Sequence, residues 1–64
     1  MKGRTMTKIR HTRLTQGMSA ARLATLLGVH ESTVRRWELG RRTPDAATLS
    51  RVARVLGVSV EVLR

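Results

Sequence analysis

The chain has 64 residues, 41% of them hydrophobic, with no cysteine and a single aromatic residue, Trp37. That length supports one hydrophobic core and one domain, 1–64, and the scarcity of aromatic residues argues against a β sandwich or barrel. Absence of cysteine excludes a disulfide framework, a thiolate zinc site and a cysteine nucleophile. Thirteen Lys and Arg against four Asp and Glu give a net charge of +9, so the natural partner is a polyanion, either nucleic acid or an anionic membrane surface.

Residues 1–5 carry Lys2, Gly3 and Arg4 with little apolar content and read as a basic flexible arm. No apolar stretch follows them as in a signal peptide, and no run approaches the ~20 residues that span a bilayer, so a cytoplasmic location is expected. From about Met6 to Gln16, Met6, Ile9 and Arg13 share one helical face, and Gly17 closes this first helix. Ser19 is placed to cap a short second helix carrying Leu23, Ala24 and Leu27, stopped by Gly28. A third helix is expected over Glu31 to Leu39, with Val34 and Trp37 on its inner face and Gly40 at its end.

The basic loop Arg41-Arg42-Thr43-Pro44 follows, and Asp45 caps a fourth helix whose Leu49, Val52, Ala53 and Leu56 repeat at helical spacing up to Gly57. Ser59 then opens a last helical turn with Val60, Val62 and Leu63. The reading is all-α, a compact bundle of five helices.

Helix two, a glycine turn and helix three fall within about twenty residues, which is the span of a helix-turn-helix. Two helices that cross steeply need a small side chain at the contact, supplied by Ala24, and a turn that tolerates positive φ, supplied by Gly28. The stretches Gly17-Met18-Ser19, Leu23 to Val29, Ser32 to Gly40 and Val55 to Val60 resemble the Cro and phage-repressor family of helix-turn-helix proteins, the xenobiotic-response-element type. The resemblance runs from about Ile9 to Leu63.

It implies a lambda-repressor-like domain that sets helix three, about 31–39, into the major groove of double-stranded DNA. Carried over by position, Glu31, Ser32 and Arg36 face base edges: Arg36 suits guanine and Glu31 the amino group of cytosine, whereas the Ser32 hydroxyl both donates and accepts. A glutamate in a first turn is also what the helix dipole favours without any DNA. Phosphate contacts fall to Ser19, Arg22, Thr33, Arg35, Arg41 and Arg42; Arg35 reads equally as solvated charge, and for Arg41 and Arg42 a solvated charge run is the alternative to phosphate neutralisation. The family often has Gln where this chain has Ala20, an anchor that Arg22 can replace. Arg13 and Glu38 resemble the family's internal ion pair, and Trp37 reads as core. His30 stands where the family has a Ser or Thr cap and is a poor substitute, which leaves the start of helix three unfixed.

Function follows as sequence-specific DNA binding by a transcriptional regulator, a repressor acting as a homodimer on a palindromic operator, prokaryotic or phage-encoded and associated with the nucleoid. An antitoxin-like module that also binds DNA is the alternative. A cationic membrane-surface peptide would need neither the Ala24-to-Gly28 register nor a Trp37 core position. No catalytic constellation, cofactor site or small-molecule site is evident, and His11 and His30 lie in separate segments with too few acidic residues around them for a metal.

Overall fold

The computed structural model describes residues 7–64 of the protein; the expected basic arm over residues 1–5, and Met6, lie outside them. Among the described residues there are five helices and no strand: α1 Thr7–Thr15, α2 Ala20–Leu27, α3 Glu31–Glu38, α4 Ala46–Leu56 and α5 Val60–Leu63. α1 and α3 each end one residue short of the expected span.

Local chemistry sets most of the boundaries. The Ser19 side chain accepts from the backbone N–H of Arg22 at 3.0 Å, and Asp45 Oδ1 accepts from the N–H of Thr48 at 2.8 Å, so α2 and α4 begin where their caps stand. Gly28 sits at φ +73° after α2, and the next residue, Val29, donates its N–H back to the Ala24 carbonyl at 3.0 Å. This left-handed closure turns the chain sharply and brings α3 against α2.

Two expectations about caps are corrected. His30 does cap α3: its backbone is extended and its ring nitrogen Nδ1 accepts from the backbone N–H of Ser32 at 3.3 Å. An imidazole lone pair serves there as a hydroxyl oxygen would. Ser59 has the extended backbone of a cap but makes no side-chain hydrogen bond, so α5 starts without that help.

The core is one cluster drawn from all five helices, with Ile9, Leu23, Val34, Val52 and Leu63 fully buried and Ala24, Leu27, Trp37, Ala53 and Leu56 close to it. Trp37 lies inside this cluster and Pro44 is buried too, in keeping with a packing role for the indole. Three long-range side-chain bonds tie the helix ends together. Gln16 Nε2 donates to the Leu56 carbonyl at 2.7 Å, Arg51 Nη2 donates to the Leu27 carbonyl at 2.6 Å, and Lys8 Nζ donates to the Arg64 carbonyl. The first two satisfy orphan carbonyls at the C-termini of α4 and α2. No helix among the described residues is long and apolar enough to cross a membrane.

Candidate nucleic-acid interface

α3 turns Val34, Trp37 and Glu38 into the core, which forces Ser32, Arg36 and Leu39, spaced i, i+4 and i+7, onto the opposite face. The Arg36 side chain is exposed there with no hydrogen-bond partner among the described residues, and Ser32 is half-buried at the first turn. Glu31 and Arg35 lie to one side of this stripe and Thr33 to the other.

Glu31 and Arg35 are paired with each other. Arg35 Nε and Nη2 both reach Glu31 Oε2, at 2.9 and 2.5 Å, in an exposed i, i+4 arrangement. Such a pair contributes roughly 0.3–0.5 kcal/mol, so an incoming phosphate or base can rearrange it. Until it does, the Arg35 guanidinium is partly spent and one carboxylate oxygen of Glu31 is occupied.

The end of α3 is fixed more firmly. Arg13 Nε donates to Glu38 Oε2 at 2.7 Å and Arg13 Nη2 to Glu38 Oε1 at 2.8 Å, and both residues are buried, with 8% and 7% exposure. The Glu38 hydrogen bonds outweigh desolvation and hold the guanidinium above its ordinary pKa. The resemblance pointed to this pair, and the geometry is bidentate. Beyond it, Gly40 at φ +78° reverses the chain, and the N–H groups of Arg41 and Arg42 return to the Arg36 carbonyl at 2.9 and 3.2 Å. Both arginine side chains are exposed on a loop pinned to α3 through its backbone.

At the start of α2, Ser19 caps the amide of Arg22, and among the described residues the amides of Ala20 and Ala21 have no backbone or side-chain acceptor. Orphan amides at a helix start attract anions. Ala20 itself is buried, the Arg22 side chain is exposed, and Arg10 and Arg35 border the groove that Ser19 lines at this end of α2.

Leu39 escaped the sequence reading. It is 64% exposed, the largest value among the exposed large hydrophobics, and with the 53%-exposed Leu14 it borders a surface groove of about 740 Å³ that Ser19 and Arg35 also line. The signal was available, because Leu39 follows Arg36 by three positions and Ser32 by seven. An apolar side chain on that stripe can meet a thymine methyl.

Two short helices joined by a glycine turn, the second with Ser32, Arg36 and Leu39 turned outward and a cationic loop behind it, define a helix-turn-helix domain. The helix-turn-helix family model matches residues 9–63, and the chain belongs to that family, in its Cro and phage-repressor branch. It is 32% identical over 56 residues to the SPbeta prophage-derived uncharacterized HTH-type transcriptional regulator YonR of Bacillus subtilis strain 168. That match covers 88% of this chain and 52% of the relative, so the chain spans about half the length of the curated relative. Among solved structures, Fe(II) HppE matches at 36% identity and a TM-score of 0.85, over 91% of this chain and 31% of that one. Fe(II) HppE in complex with substrate matches at 33% identity and a TM-score of 0.87, over 98% and 37%. What is shared with HppE is one small helical domain, about a third of that protein. Among the described residues no three His, Asp or Glu side chains gather as a metal-binding group.

Proposed function

We propose that this chain binds double-stranded DNA sequence-specifically, as the DNA-reading domain of a transcriptional regulator, with α3 in the major groove. The observation that carries the reading is the outward stripe of α3. It presents Ser32 and Arg36 side by side, while Val34, Trp37 and the buried Arg13–Glu38 pair lock the opposite face. Family membership and the likeness to a transcriptional regulator support it, as does the net charge of +9.

In this reading Arg36 makes a bidentate contact to guanine, Ser32 meets the neighbouring base, and Glu31 accepts from a cytosine amino group through the carboxylate oxygen that Arg35 leaves free. Ser19, Arg22, Thr33, Arg41 and Arg42 touch phosphates, joined by Arg35 once it releases Glu31. These contacts set register and carry most of the salt dependence. The protein acts as a repressor, and two copies bind a palindrome whose half-sites lie about one helical turn, roughly 34 Å, apart. No catalytic step belongs to this reading.

Selection of bound duplexes from a randomised library tests it. A palindromic motif with a guanine under Arg36 is the expected result. Binding without any enriched sequence would reduce the role to electrostatic attachment and defeat the proposal, and a single enriched half-site would defeat the dimer.

A further inference from the structure

A serine hydroxyl facing the major groove normally discriminates poorly, since it can donate to a base carbonyl or accept from a base amino group. The cap on α3 removes that freedom. His30 Nδ1 lies 3.0 Å from Ser32 Oγ and 3.3 Å from the Ser32 backbone nitrogen. A backbone N–H can only donate, so Nδ1 must meet it with its lone pair. A proton on Nδ1 would set two N–H groups against each other at the positive end of the helix dipole. The ring proton of the neutral imidazole therefore resides on Nε2. Ser32 Oγ, facing the same lone pair, donates its hydrogen to Nδ1, and only oxygen lone pairs remain to point away from the ring.

We propose that His30 makes Ser32 an acceptor-only reader, so that α3 selects a base with an amino group in the major groove, adenine or cytosine, at the position Ser32 meets. Guanine and thymine present only acceptors there and are disfavoured. His30 is a positioning residue in this scheme: it sets the polarity of Ser32 and need not touch DNA. The inference rests on the reading in which α3 enters the groove, and it resolves the one base contact that residue type leaves ambiguous.

The test has two readouts. Ring nitrogen chemical shifts of the free protein, at a pH where the imidazole is neutral, should show His30 as the Nε2–H tautomer; an Nδ1–H ring would overturn the proposal. Affinities are then measured on duplexes carrying each of the four bases at the Ser32 position. The wild type should favour the amino bases by about fivefold, the worth of one hydrogen bond. His30→Gly, which keeps a backbone suited to the cap but offers no acceptor, should bring that preference below about twofold, the loss expected with one hydrogen bond removed. His30→Asn, whose side-chain oxygen accepts in the same place, should restore it. A preference unchanged in His30→Gly would overturn the proposal. A flat profile at every position, that of Arg36 included, would overturn the groove reading and this inference with it.

Discussion

Arg13 in α1 and Glu38 at the end of α3 meet through two parallel hydrogen bonds of 2.7 and 2.8 Å, and the third face of the guanidinium donates to the Met18 carbonyl at 3.1 Å. One side chain thus ties the end of the proposed DNA-reading helix to α1 and to the turn before α2. Desolvation offsets much of the Coulomb gain of such a pair, so its main effect is to fix geometry. Glu38→Ala strands the guanidinium and should destabilise the fold by about 3 kcal/mol, lowering Tm by at least ~12 °C in a domain of this size. Replacing both partners, Arg13→Met with Glu38→Ala, should cost less than the sum of those two single changes. Calorimetry on the four proteins measures this, and additive losses would mean the residues do not act as a pair.

Gly28 stands at φ +73°, yet a Cβ built there would meet nothing within 4 Å. The penalty for Gly28→Ala is therefore backbone strain alone, about 1 kcal/mol. Urea unfolding should show that loss with an unchanged m-value, since the surface buried on folding is the same.

Asp45 is held below its ordinary pKa of 3.8, first by its hydrogen bonds with Thr48 at the start of α4. Because the folded value is the lower one, the cap's contribution is fully present above the unfolded pKa and disappears as pH falls through the folded pKa. Asp45→Asn keeps a capping oxygen and removes the titration. Its Tm should fall less steeply than that of the wild type below pH 4 in scanning calorimetry, and parallel curves would show that the cap carries no linkage.

How much of this was legible in the sequence depended on how local each signal is. Ser19, Asp45, Gly28 and Gly57 act within four residues of themselves, and each stands at the helix boundary read from it. The Arg13–Glu38 pair joins positions 25 apart, and only the family resemblance pointed to it. Gln16 on the Leu56 carbonyl and Arg51 on the Leu27 carbonyl join positions 40 and 24 apart with no pattern to announce them. Residue type ranks His30 low as a cap, whereas what matters is that its ring can turn a lone pair toward the Ser32 N–H. The Glu31–Arg35 pair is legible from i, i+4 spacing alone, and it engages the Arg35 guanidinium in the absence of any phosphate.

Arg41 and Arg42 project from a loop whose backbone is bonded to Arg36. As phosphate contacts they carry no base information, so Arg41→Ala and Arg42→Ala should weaken binding equally to selected and scrambled duplexes. Each should also reduce the slope of log K against log salt by about 1. Salt titrations by fluorescence anisotropy measure both quantities, and slopes equal to the wild type would assign the two side chains to solvent.

Whether α3 reads bases through Arg36 is decided by the base profile of Arg36→Ala on the selected operator. Every single-base variant of one half-site is titrated with wild type and mutant at fixed salt. The wild type should lose about 1–3 kcal/mol when one guanine is replaced, and Arg36→Ala should abolish discrimination at that position while leaving the others intact. A mutant weakened uniformly at all positions, with the guanine preference preserved, would place Arg36 on the backbone and contradict the proposed orientation of α3 in the groove.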